Sequence, residues 1–420
     1  MSSAREIAVC EVCGSGHLTS VLDLGPHPMC DDLVRLGDSR RCREYPIEIL
    51  FCDKCITAHQ RFQVPKGELF PASYHYRARF TADVLNGMAG LVESCVARFG
   101  SLRGRKVLDI GCNDGSLLDF FRQHGAETIG VEPTDACRDA QQKGHAVLQE
   151  YFSDMAADAV LARQGTPDFI TFTNVFAHIE DLPRVLAALR RLIGSNTIVV
   201  IENHYLGAVL EGNQFDTFYH EHPRSYSYTS FVHIANTLGV RLLDVEFPAR
   251  YGGNIRTFLG SGVGRSVADD RTELLRRESR FPDGFVSLRN NVQRWREVKR
   301  RTLAAEIRQH GRIPAKAFPG RAAILVKLLA LDEQSISAVY EKPGSLKIGH
   351  YLPGTRIPIL SDEELFAAPD KTKPLLNLAW HIPKEIHAYL QEHGCTGPII
   401  DIIGAGDFEA EAQSRRGHSG

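Results

Sequence analysis

The chain has 420 residues, of which 43% are apolar and 24% charged, and its formal net charge is −2. That length implies about two to three domains. The charge argues against broad binding to nucleic acid or anionic membrane, and no apolar run approaches the roughly 20 residues that span a bilayer. MSSAREIAVCEVC lacks the basic-then-apolar pattern of a signal peptide, so a cytoplasmic protein is expected. Its ten cysteines then stay reduced, which favours metal binding or core packing over disulfides.

Residues 1–75 read as a small, loop-rich module with little helical period and turn residues such as Gly14, Gly16, Gly25, Pro26 and Pro28. Within it, Cys10-x-x-Cys13 and Cys52-x-x-Cys55 offer four thiolates, a full tetrahedral set for one structural zinc; four unrelated thiols are the blander alternative. Iron–sulfur clusters and other metals share this ligand type. From residue 76 to 265 the pattern becomes α/β. An amphipathic segment over 80–99 leads into Lys106–Ile110, and Ile129–Glu132, Phe169–Phe172 and Thr197–Ile201 read as short buried strands with helical stretches between them, which predicts a mostly parallel sheet. Residues 266–312 are rich in Arg and Glu at helical spacing and read as a connecting pair of solvated helices. Residues 313–408 read as a smaller α/β domain with strands at RAAILV (321–326), ISAVYEK and PLLNLAW and a helix at KEIHAYLQEHG; residues 409–420 read as a frayed polar tail.

The segment KVLDIGCNDGS is a strand, a glycine turn and a helix start. Gly111 and Gly115 allow close approach of a ligand, and Glu132 at the end of the next strand can accept from ribose hydroxyls. The spacing differs from the pyrophosphate fingerprint, and Asp109, Asn113 and Asp114 suit a cationic or zwitterionic ligand better than a phosphate. S-adenosylmethionine (SAM) has that chemistry, and NAD fits less well. Downstream, Asn174-Val-Phe-Ala-His178 sits beyond a strand end, and Phe215-Asp-Thr-Phe-Tyr219-His220-Glu221-His222 strings together four proton-handling groups. Methyl transfer to oxygen needs little beyond positioning and a base. Transfer to carbon needs a carbanion, hence a base of near-neutral pKa and donors aimed at an enolate oxygen. Histidine suits the first role, and tyrosine with a second histidine the other.

Together CEVC and CDKC, YHYR, LDIGCNDGSLL, GVEP, TNVFAHIEDL, FDTFYHEH, YGGNIR, KIGHYLPGTRIPI and LNLAWHIPKEI resemble the three-domain deoxysugar C-methyltransferases, over almost the whole chain. The resemblance implies an N-terminal zinc module, a central SAM-binding Rossmann-like domain and a C-terminal Rossmann-like domain, acting on a nucleotide-linked 4-keto-6-deoxysugar, commonly at C3. It implies that His222 is the base, that Glu221 orients it or holds the sugar, and that Tyr219, His178 and Tyr76 contact the sugar or the enolate. It places the cofactor against Asp109, Gly111, Asn113, Asp114, Gly115, Glu132 and Asn174. The stretch KAFPGRAAILVKLL departs from the family, with Pro319 and Arg321 where a Gly- and Ala-rich turn ending in Lys is usual, as do the strand end Tyr340-Glu341-Lys342 and the tail after GPIIDIIG. A monomer is the default state. An O- or N-methyltransferase of a small metabolite is the alternative activity, ahead of a zinc-stabilised scaffold or an NAD-dependent sugar oxidoreductase.

Overall fold

The computed structural model describes residues 4–70, 77–80, 82–262 and 268–408. Tyr76 and the tail 409–420 lie outside the described residues. The N-terminal part contributes β1 (Arg5–Glu6), β2 (Thr19–Pro28), β3 (Val34–Arg35), β4 (Glu44–Cys52), β5 (Thr57–Gln60) and β6 (Phe62–Gln63). Its main sheet has the order β12-β5-β4-β2, all antiparallel. The edge strand β12 (Arg224–Ser225) comes from far downstream and pairs Arg224 with His59 and Ser225 with Ala58.

The central sheet is built from β7 (Lys106–Ile110), β8 (Glu127–Val131), β9 (Ala146–Leu148), β10 (Phe169–Thr173), β11 (Ile198–His204), β13 (Arg241–Glu246) and β14 (Asn254–Gly260). Their order is β13-β14-β11-β10-β7-β8-β9, and β14 alone runs against the others. Strands β10 and β11 are mostly apolar, and nearly every residue of both is buried, as in a sheet covered on both faces. The helix Ala82–Phe99 buries Val84, Met88, Leu91, Val92 and Cys95, one apolar stripe at helical spacing.

The acidic and basic stretch forms two helices, Ala268–Glu278 and the 30-residue Phe281–His310. The second is only partly solvated. It buries Phe281, Phe285, Leu288, Val292, Trp295 and Leu303 along one side, and the Trp295 indole donates to the Ile402 carbonyl at 2.9 Å. The last sheet holds β15 (Ile313–Lys316), β16 (Ile336–Glu341), β18 (Ile359–Ser361), β19 (Leu375–Asn377) and β20 (Ile399–Asp401) in the parallel order β18-β16-β15-β19-β20. Strand β17 (His350–Tyr351) leaves it to pair with β3 of the N-terminal part. RAAILV is not a strand: Ala322–Leu328 is a helix with Arg321 as its N-cap. A short continuous apolar run reads the same for a buried strand and a buried helix, and here it is a helix buried on nearly every side. No helix among the described residues is long and apolar enough to cross a membrane.

Candidate active site and metal centre

The Sγ atoms of Cys10, Cys13, Cys52 and Cys55 all lie within 4.8 Å of one another. Cys10 and Cys55 are 3.3 Å apart and Cys13 and Cys52 3.6 Å. Tetrahedral zinc with Zn–S bonds of about 2.3 Å needs S–S edges of about 3.8 Å, so the four fit one closed structural zinc with small adjustments. Around them, His59 Nε2 lies 3.3 Å from Cys10 Sγ, and Thr57 Oγ1 lies 3.1 Å from Cys55 Sγ and 2.8 Å from Ser230 Oγ. These contacts tie the metal-ligating turns to the helix Tyr228–Leu238 of the central part.

The second site lies at the carboxyl ends of β7, β8, β10 and β11, where open α/β sheets hold ligands. Gly111 follows β7 with φ +75°, and a Cβ there would meet Val175 Cγ2 at 2.5 Å. Glu132 follows β8, is buried, and accepts from the Asn113 amide at 3.0 Å and from Thr134 N and Oγ1 at 2.9 and 2.6 Å. Asn174 follows β10 with φ +54°, and its Oδ1 is buried with no hydrogen-bond partner among the described residues. An unsatisfied acceptor at this strand end is costly unless a ligand donates to it. With Glu132 and the glycine turn, it fits the polar amino-acid and ribose groups of SAM.

Three of the expected cofactor residues also serve the frame. The Asp109 carboxyl is buried within β7 and accepts from Thr171 Oγ1 at 2.7 Å, and burial pushes it up to about 7. Asp114 accepts from Ser116 N and Oγ through Oδ1 and from the Arg79 amide through Oδ2, which ties the helix start to residue 79. Gly115 is needed for packing: a Cβ there would meet Ala140 Cβ at 2.8 Å. Asn113 Oδ1 accepts from the Ala78 amide at 3.1 Å. Residues 78 and 79 are thereby pinned over the glycine turn.

Beside this turn, three imidazoles converge. The His222 ring lies 4.3 Å from the Tyr219 ring, 4.9 Å from His178 and 5.3 Å from His204, centre to centre. His222 Nδ1 lies 3.0 Å from the Thr217 carbonyl, and His178 Nδ1 lies 2.6 Å from the Glu221 carbonyl. A carbonyl only accepts, so both Nδ1 atoms carry hydrogen and each neutral ring presents an Nε2 lone pair. Burial, with His178, His204 and Arg321 nearby, holds His222 well below the ordinary histidine range. Burial keeps the Tyr219 phenol protonated by raising its pKa well above the usual value.

The Glu221 carboxyl hydrogen-bonds no described residue, and burial pushes its pKa well up. The Thr217 carbonyl, not Glu221, therefore orients His222. His220 faces the N-terminal part, its Nε2 3.0 Å from the Tyr45 carbonyl. Sequence reasoning missed His204, the last residue of β11, and Asp216 and Thr217. The polar Glu202-Asn203-His204 ending on an apolar strand was a usable signal for the first.

Three family models tile the chain in order. Residues 10–70 match "Putative zinc binding domain", residues 76–245 match "Methyltransferase domain", and residues 249–399 match "C-methyltransferase C-terminal domain". With the sheet order and cofactor-end geometry above, the chain is a SAM-dependent methyltransferase that carries one structural zinc. Among its relatives, the C-methyltransferase NovU of Streptomyces niveus is 28% identical over 91% of this chain and 92% of its own length. A ubiquinone biosynthesis O-methyltransferase of Azorhizobium caulinodans is 28% identical over 33% of this chain and 54% of its own. The SAM-bound magnesium protoporphyrin IX methyltransferase of Synechocystis aligns over 43% of this chain and 80% of its own at 18% identity and a TM-score of 0.31.

Proposed function

We propose that this enzyme C-methylates a nucleotide-linked 4-keto-6-deoxysugar at C3, with His222 as the base. The observation that carries the reading is the fixed His222 tautomer. Its Nδ1 donates to the Thr217 carbonyl at 3.0 Å, which leaves Nε2 as a lone pair among Tyr219, His178 and His204. Nε2 takes the proton from the carbon beside the ketone, and the C–H electron pair moves to the ketone oxygen as an enolate. The Tyr219 hydroxyl is the neutral donor for that oxygen. His178, fixed in the same tautomer as His222, accepts from a sugar hydroxyl, and Glu221, protonated in its buried setting, donates to another. SAM, when bound, supplies the electrophilic methyl group that the nucleophilic carbon takes up. Glu132 and Asn174 hold its polar groups, and the turn at 111–115 lets it approach the backbone.

The match of residues 249–399 to a C-methyltransferase domain and the similarity to NovU support transfer to carbon over transfer to oxygen. In this reading residues 76–265 carry the chemistry, 1–75 and 313–408 flank it, 266–312 link them, and the enzyme works as a cytoplasmic monomer. The test is incubation with SAM and a panel of nucleotide-linked 4-keto-6-deoxysugars, with mass spectrometry and NMR of the product. A methyl on the carbon beside the ketone is expected in the product, as is solvent deuterium at that carbon in substrate recovered unmethylated. His222→Asn is expected to lower both about 10²- to 10⁴-fold while SAM binding persists. A methyl on oxygen or nitrogen overturns the enolate mechanism.

A further inference from the structure

We infer that Arg321, contributed by the last sheet, is a positioning residue for the base at the central site. Strand order in that sheet reverses between β15 and β19, and the chain leaving β15 runs through Ala317 (φ +63°), Pro319 and Gly320 to Arg321. This turn is fixed at several points. The Phe318 amide donates to Glu341 Oε1 at 2.6 Å and the Ala322 amide to the Pro319 carbonyl at 2.7 Å. A Cβ on Gly320 would meet Asp31 Oδ1 at 3.1 Å, so the turn is wedged against the N-terminal part.

From this mount the guanidinium crosses to the loop that holds the base. Nη1 lies 2.9 Å from Asp216 Oδ2 and donates to Thr217 Oγ1 at 3.0 Å. Thr217 is the residue whose carbonyl fixes the His222 tautomer. On its other side, the Arg321 guanidinium lies 5.7 Å from the ring of Trp380, which follows β19. The charge thus sits between the crevice of the last sheet and the loop bearing the base, and it pairs with an Asp216 side chain that is only 1% exposed. Two consequences follow from one contact. The loop conformation that aims His222 depends on Arg321, and the same positive charge opposes protonation of His222 and His204. Arg321 is therefore placed where it can set both the aim and the basicity of the base.

The inference rests on His222 as the base, and the experiment separates the two. Arg321→Lys, and Arg321→Gln combined with Asp216→Asn so that no buried carboxylate is left unpaired, are compared with wild type and His222→Asn. The readouts are kcat, KM, SAM affinity, melting temperature and the His222 pKa from NMR of ¹³C-labelled histidine. The double variant is expected to lose about 10- to 100-fold in kcat, as misplacement of a catalytic group does. SAM affinity should stay within about threefold, and the His222 pKa and the acid limb of the kcat profile should move to higher pH. Arg321→Lys keeps the charge and loses the fork, so it should hold the pKa and lose part of kcat. Wild-type kcat and His222 pKa in the double variant overturn the inference. So does a loss that tracks SAM affinity and melting temperature alone. If His222→Asn retains turnover, the base assignment falls, whatever Arg321 does. If it abolishes turnover while the Arg321 variants behave as wild type, the base stands and the positioning role falls.

Discussion

The loop 215–225 is held from two sides, and the two grips differ in kind. On the N-terminal side it is stitched into a sheet. Strand β12 pairs with β5, the Gln60 amide donates to the Pro223 carbonyl at 2.8 Å, and Gln60 Nε2 donates to the Tyr219 carbonyl at 3.3 Å. His220 Nε2 donates to the Tyr45 carbonyl, and the fully buried Arg224 pairs with Glu11 and donates to the Tyr226 hydroxyl. On the other side, Arg321 reaches Asp216 and Thr217 from a side chain that is 26% exposed. Ladder pairing and buried ion pairs are cooperative and costly to undo, whereas one partly exposed pair is easily rearranged. The zinc module thus fixes the 219–225 end of the loop, and Arg321 of the last domain holds its Asp216–Thr217 end.

Metal removal tests the fixed side most severely. A chelator strong enough to strip the zinc should unfold the N-terminal sheet and abolish methyl transfer, because the metal supplies much of that module's folding free energy and β12 loses its partner. Circular dichroism and activity should fall together, and retained activity in metal-free protein would break the contrast. Next in size, Arg224→Met removes the buried partner of Glu11 and leaves it only the exposed Arg5 as a cation; it should cost about 3 kcal/mol in chemical denaturation. Arg321→Lys should cost far less, and equal losses would show the two grips to be alike.

Acid offers a third, smaller test. Burial lowers His27 and His220 to about 4 in the folded protein. A histidine with a depressed folded pKa binds fewer protons than its unfolded form, so its contribution is complete above the unfolded value of about 6.5 and is lost as pH falls toward 4. The two together should remove a few kcal/mol across that window. His220→Gln should flatten the slope, and an unchanged slope would place the acid sensitivity elsewhere. The smallest effect is expected from Gln60→Ala, which removes one side-chain hydrogen bond to the loop and should cost about 1 kcal/mol.

Much of this was readable from residues alone. The paired CxxC motifs and the strands β7, β8, β10 and β11 follow from local patterns that the structure keeps. What could not be read depends on contacts distant in sequence. RAAILV reads as a strand because its five apolar residues in a row show no period. The sequence does not show that Asp114 Oδ2 is engaged, because its partner, the Arg79 amide, lies 35 residues upstream. The resemblance leaves Glu221 to orient His222 or to hold the sugar, and the bond from His222 Nδ1 to the Thr217 carbonyl, five residues back, is visible only in the fold. Arg321 is about a hundred residues from the loop it touches, and only the folded chain brings the two together.

The borrowed edge strand carries a consequence for recombination among such enzymes. The sheet around the cysteine cluster is completed by residues 224 and 225, so the module is not a cassette that ends where its own sequence ends. A chimera that exchanges only the N-terminal segment would pair a foreign β5 with the native β12 and leave the buried Arg224 facing a foreign Glu11 position. Transplanting the segment together with Tyr219–Ser225 preserves the ladder, so compatibility between donor and recipient is decided at two separate places in the gene.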